Sequence, residues 1–218
     1  MHMRMIALTG ACVLLFTGCT TIRATSPQRS AQEELLISTA ADRAAEALAA
    51  QIPANLSAYV DASAMRTDNR NEGVESIDRQ YALAAIDDAL LRRGVRLMPD
   101  REHADAVIVP RAGMLSTDER ATLIGLPALP APIPMAGEAV AIPALSLYSN
   151  LKAKGLAKFA ASVYDPRTGK LIVSTDPAYG FSRESDGVVL FLFTWSHNDM
   201  GVDMSSDPVK VKPRSKPE

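Results

Sequence analysis

The chain has 218 residues, 23 Lys+Arg against 25 Asp+Glu, 47% apolar and 22% charged residues, the profile of one ordinary globular domain. A net charge of −2 and a pI near 6.0 lack the basic excess with which nucleic-acid-binding domains neutralise phosphates. No uncharged run of 18 residues lies in the body of the chain, which argues against a multi-span transporter.

The amino terminus reads as a processing signal. Arg4 supplies the positive region and Met5 to Thr17 an uncharged stretch too short to span a bilayer. Leu15-Phe16-Thr17-Gly18-Cys19 resembles the bacterial lipobox, with Phe16 where that pattern usually has Leu. The resemblance implies diacylation of Cys19 and removal of residues 1–18. Two or three acyl chains give a stable anchor where one holds only reversibly. By likeness to Gram-negative lipoproteins, Thr20 at the second mature position implies the outer membrane, with the domain in the periplasm. Cys12 would leave with the leader and Cys19 would be acylated, so the mature chain would keep no thiol for disulfides, metal ligation or catalysis. Residues 19–29 then read as a lipidated tether, and ten extended residues reach about 35 Å.

The globular domain is expected over 30–204. Ser30-Ala-Gln-Glu33 is a capping-box pattern, followed by Ile37, Ala41, Ala44, Leu48 and Ile52 at helical spacing up to Pro53. The Ala-rich stripe suits close packing on a sheet. Leu56–Ala62 reads as a strand, and Ser76–Arg93 as a second helix with Leu83, Ile86 and Leu90 on one face and Gly94 as terminator. Val95–Met98 and Ala106–Pro110 read as short strands. Leu123–Leu147 holds five prolines and one charge, Glu138, which disfavours helix and central strand and biases the chain to an extended apolar rod. Such a segment is a candidate contact surface for a partner, carried by Leu126, Pro127, Leu129, Pro130, Pro132, Ile133 and Pro134.

Leu156–Tyr164 and Leu171–Thr175 flank Asp165-Pro166-Arg167-Thr168-Gly169-Lys170, a strong hairpin signal. Val188–Trp195 is a continuous apolar run that reads as a strand paired on both sides, with Phe191, Phe193 and Trp195 in the core. Residues 205–218, with three prolines and four basic residues, read as a disordered, solvated tail. The expected fold class is α+β, bordering on α/β: helices packed on a mixed sheet, with a C-terminal antiparallel hairpin and the proline-rich extended segment.

Candidate chemistry is sparse. Asp100, Glu102, His103 and Asp105 form the densest ligand-type cluster, but their spacing matches no established metal motif. Ser196, His197 and Asp199 lack a nucleophile-elbow context. Asp87 and Asp88, adjacent on a helix, point about 100° apart and are expected to face solvent. Neither a metal nor a cofactor is expected, nor an enzymatic activity.

Leu123-Ile-Gly-Leu-Pro-Ala-Leu-Pro-Ala-Pro-Ile-Pro134, Gly155-Leu-Ala-Lys-Phe-Ala-Ala161, Tyr164-Asp165 with Thr168-Gly169, and Trp195-Ser-His-Asn-Asp199 resemble an uncharacterised bacterial lipoprotein family that carries only a domain-of-unknown-function label. The early helix–strand–helix–strand order is also similar to the periplasmic α/β domain of the curli-secretion-channel lipoprotein. The family resemblance implies an outer-membrane-associated lipoprotein. The anchor, the tether and the proline-ruled apolar segment, with no catalytic signature beside them, point to a non-enzymatic module on the periplasmic face that binds another envelope protein or a second copy of itself and no nucleic acid. The alternative is an oligomeric secretion-pore or channel subunit.

Overall fold

The computed structural model describes residues 29–65, 73–126, 129–132, 139–142, 145–190, 192–203 and 210–211. Cys19, the leader, the tether before Arg29, and Pro127, Ile133 and Pro134 lie outside these residues.

Helix α1 (Ala31–Ala49) begins on the expected capping box: the Ser30 hydroxyl accepts from the Glu33 backbone N–H, and the Glu33 carboxylate accepts from the Ser30 N–H at 2.7 Å. It ends at Ala49, before Pro53. Strand β1 (Ser57–Val60) and a 3₁₀ turn (Ala62–Met65) follow, then α2 (Gly73–Arg93) and β2 (Arg96–Leu97). Gly94, at φ 94°, terminates α2 in the left-handed region, where its carbonyl accepts from the Asn55 N–H.

Beyond this point the chain is dominated by long strands. Strand β3 runs from Ala106 to Leu126, and β6 from Leu145 to Tyr164; at about 3.3 Å per residue each spans some 65–70 Å. Between them lie β4 (Leu129–Pro132) and β5 (Ala139–Ile142), then β7 (Leu171–Ser174), β8 (Ala178–Val189) and β9 (Phe193–Asn198) follow. The main sheet runs β2-β1-β3-β6-β8-β9, with β7 also on β6. The β1 pairings are parallel and the rest antiparallel, so the chain is an α+β fold on a mixed sheet.

Several expectations change here. Ala106–Pro110 is the start of a strand four times longer than its apolar core, because the outer part is exposed and carries charges. The proline segment is not a lone rod: Leu129–Pro132 pairs with Ala139–Ile142 in a two-stranded ribbon. Pro130 and Pro132, two apart, aim their donorless nitrogens at one edge, so pairing can use the other. Val188–Trp195 is the bend of the β8–β9 hairpin, with Leu190 at φ 48°. Lys210–Val211 (β11) pairs back on Val202–Asp203 (β10), inside the stretch expected to be a solvated tail.

Helix α1 lies across the sheet on an unusually close seat. A Cβ at Gly155 of β6 would overlap the Leu36 carbonyl, and one at Gly180 of β8 would overlap the Ala40 carbonyl. Between them the buried Ser182 hydroxyl donates to the Leu36 carbonyl at 2.6 Å. The Ala40, Ala41, Ala44 and Ala45 stripe fits this approach, and Leu48, Ile52, Ile86, Leu90, Ile108, Phe159 and Val163 complete the core. A bulge at Gly113 separates the Ala112–Phe159 and Met114–Lys158 pairs and keeps the outer half of β3 in phase with β6.

Gly180→Ala has no room to relax without lifting α1. It is expected to destabilise the domain by about 1–3 kcal/mol, the usual cost of overpacking, in chemical denaturation monitored by circular dichroism.

Candidate functional site

Alternation along the strands gives the sheet two unlike faces. Ala153, Gly155, Ala157, Phe159, Ala161 and Val163 of β6 point to the helices and are buried. The opposite face carries no helix among the described residues, and the strand register arranges its side chains in rows. Ser116, Leu156 and Phe181 form one row, and Asp118, Lys154 and Arg183 the next. Arg120, Lys152, Ser185 and His197 follow, then Thr122, Asn150, Gly187 and Trp195, and finally Ile124, Tyr148, Val189 and Phe193.

The middle rows are basic in an otherwise slightly acidic chain. Arg120, Lys152, Lys154 and Arg183 are all exposed, and the one carboxylate among them, Asp118, lies 3.9 Å from Arg120. Tyr148, Asn150 and Thr122 border the same side-chain hollow, of about 310 Å³, as Lys152 and Lys154. The Asn150 amide donates to the Tyr148 hydroxyl at 3.1 Å, and the Tyr148 and Trp195 rings sit 6.2 Å apart. Gly187 is required beneath that indole, since a Cβ there would overlap the Trp195 ring. Lower on the face, Lys158 lies 5.5 Å over the Tyr179 ring, and Tyr179 stacks on Phe181.

The helix-side face has its own recess. Helix α1 starts part-way along the sheet, and beyond Ser30 and Gln32 a cleft of about 830 Å³ opens against Ser149, Leu151, Glu184, Asp186 and Ser196. Glu184 is 6% exposed, and its Oε2, like Oδ1 of Asp186, has no partner among the described residues. Burial pushes the Glu184 carboxyl above its ordinary value, aided by the Asp186 charge and opposed by a hydrogen bond from Gln32.

The ligand-type residues noted in the sequence do not converge. His103 contacts Asp100 at 2.6 Å within one turn, while Asp105 meets Arg167 at 3.5 Å. Among the described residues no group of three His, Cys, Asp or Glu is placed to hold a metal ion. Ser196 and His197 fall on opposite faces of β9, and Asp199 instead pairs with Arg43 at 3.1 Å and accepts from the Arg183 N–H. Asp88 is exposed and pairs with Arg92, but Asp87 is half-buried with Oδ1 unpartnered, and burial raises its pKa. Phe193 and Trp195 are 67% and 38% exposed, because β9 is the edge strand of the sheet; Phe191 lies outside the described residues. Leu126, Leu129, Pro130 and Pro132 are strand residues, joined through two residues on each side to the outer ends of β3 and β6. The basic rows were missed in the sequence, where their members stand far apart and align only through register.

A family of unknown function, DUF6655, matches residues 13–192. The chain belongs to that family. The matched span takes in β1 to β8 and both helices, stops just before β9, and extends back through Cys19. No curated protein matches the chain. Among the described residues of this DUF6655 member, no helix is long and apolar enough to cross a membrane.

The raised Glu184 pKa has a defined consequence for stability. The folded state favours the protonated carboxyl, so the favourable contribution is complete below the ordinary value of 4.5 and is lost as pH rises through the raised folded value. Glu184→Gln, which is permanently neutral, is expected to melt above the parent at pH 7, with the gap closing toward pH 4 in calorimetric scans.

Proposed function

We propose that this DUF6655 protein is an outer-membrane lipoprotein, anchored through Cys19 with its domain on the periplasmic face, that acts as a non-enzymatic binding or assembly module of the cell envelope. The observation that carries the binding role is the sheet face that no described helix covers, where exposed cations and aromatic rings stand in register. A face whose only task was to be wet would not need a glycine cut out beneath an indole. The anchor rests on the likeness of Leu15–Cys19 to a lipobox, and the family match extends over that stretch. The Leu126–Pro134 segment is the candidate contact for another envelope protein or a second copy, since it is joined to the free end of the long hairpin.

Metabolic labelling with a fatty acid in a Gram-negative host tests the anchor. The parent is expected to carry label and fractionate with outer membranes, while Cys19→Ala loses both; an unlabelled parent sinks the reading.

One feature favours a second reading, a pore subunit similar to the curli-secretion-channel lipoprotein. The outer half of the β3–β6 hairpin alternates polar Arg120, Thr122, Asn150 and Lys152 with Ala121, Leu123 and Leu151, interrupted by Ser149, much as lumen and lipid faces of a barrel strand do. Sizing of the lipidated protein in detergent decides between them. The binding module is expected to run as a monomer or small oligomer, and a discrete large ring would establish the pore.

A further inference from the structure

The rows of the open face are ordered along the strands, and the order is that of a lipid interface. In the row farthest from the helices stand Ile124, Tyr148 and Phe193, joined by Leu190 and Leu192 in the β8–β9 bend; Leu192 is 81% exposed. The Leu190 N–H donates to the Leu147 carbonyl at 2.8 Å, which ties that bend to the end of the β3–β6 hairpin. One step back comes Trp195, its ring 6.2 Å from that of Tyr148, and then the Arg120–Lys152 and Lys154–Arg183 rows. Rows on one face recur about every 6.6 Å, so the first basic row stands about 13 Å behind the apolar edge.

That spacing fits a membrane surface. Apolar side chains enter the headgroup and acyl boundary by about 5–10 Å, aromatic rings with a polar handle settle at headgroup level, and basic residues meet anionic phosphates. A lipid interface is layered in this same sequence, from acyl chain through boundary to phosphate.

The entry of the chain points the same way. Ser30, the first residue of the α1 cap, lines the cleft with Ser149, Leu151 and Asp186, on the outer half of the sheet. The start of α1 thus stands on the half of the sheet that carries the apolar edge. A ten-residue tether reaches about 35 Å when extended, well beyond the four residues, about 13 Å, from Leu151 to Leu147.

We propose that the outer end of the sheet is a membrane-docking tip: Leu190, Leu192 and Phe193 enter an anionic lipid surface, Trp195 and Tyr148 lie at its boundary, and Arg120, Lys152, Lys154 and Arg183 bind the lipid phosphates. The proposal rests on the lipoprotein reading only for which membrane the tip faces, since the rows themselves do not involve Cys19.

Trp195 is the only tryptophan of the chain, so its fluorescence reports the tip directly. The chain from Thr20 onward, which contains every described element and has no acyl group, is mixed with phosphatidylglycerol–phosphatidylethanolamine vesicles or with phosphatidylcholine vesicles. The expected result is pelleting with the anionic vesicles, a blue shift of Trp195 and quenching by brominated acyl chains, all weakened by salt. Leu192→Asp with Phe193→Asp, at positions too exposed to support the fold, abolishes the shift. Lys152→Ala with Lys154→Ala weakens binding about tenfold or more. The proposal is overturned if anionic vesicles leave Trp195 unchanged, if neutral vesicles bind equally well, or if the double Asp variant binds like the parent. A Trp195 shift that follows protein concentration without vesicles overturns it in favour of a second copy. Failure here leaves fatty-acid labelling of Cys19 unaffected, so the two readings fall separately.

Discussion

The seating of α1 on Gly155 and Gly180 is the constraint on which the rest of the structure depends. Helix carbonyls reach the sheet backbone only where no Cβ intervenes, and the Ser182 hydroxyl satisfies one of them at the point of contact. This fixes the height of the helix and also where it begins along the strands. Because the seat lies toward one end of β8, the outer halves of β3, β6, β8 and β9 run on with no described helix over them. The core and the candidate surface are thus set by the same contact: one end of the sheet is packed, and the other is presented.

Much of the packed end was legible in the sequence. The Ser30–Glu33 box, the Ala stripe of α1, Gly94 after α2 and the Asp165–Lys170 turn are local signals whose physics needs few distant partners. The presented end was not. Strand β3 beyond Pro110 is exposed, so it lacks the alternation of buried and solvated residues by which a half-buried strand is recognised, and the bulge at Gly113 shifts what phase there is. Val188–Trp195 misled for the opposite reason. Its apolar run is what a buried strand looks like, and the bend at Leu190 has none of the Gly, Asn or Asp residues that usually mark positive φ.

The candidate surface was hidden by the same non-locality. Lys152 and Lys154 are neighbours, but Arg120 and Arg183 join them only through pairings that span more than thirty residues on one side and about thirty on the other. The residues that drew notice in the sequence, Asp100 to Asp105 and Ser196 to Asp199, are close in the chain and are spent on turn and edge contacts. Proximity along the backbone favoured the wrong clusters, because in a sheet of long strands the neighbours that matter come from other strands. The two faces also differ in charge: carboxylates gather in the cleft beside the start of α1, where the positive end of the helix dipole favours them, and cations gather on the far side.

The bulge at Gly113 is a small feature with a wide reach. It adds one residue to β3 before the exposed half begins, so everything from Met114 outward keeps its side of the sheet through a single unpaired position. Were Gly113 taken into the ladder opposite Lys158 in place of the bulge, the distal half of the strand would turn over. Asp118 and Arg120 would then look toward the acidic cleft, Glu119 and Leu123 would look away from it, and the polarity of the protein across its own thickness would be scrambled without the loss of one core contact below the bulge.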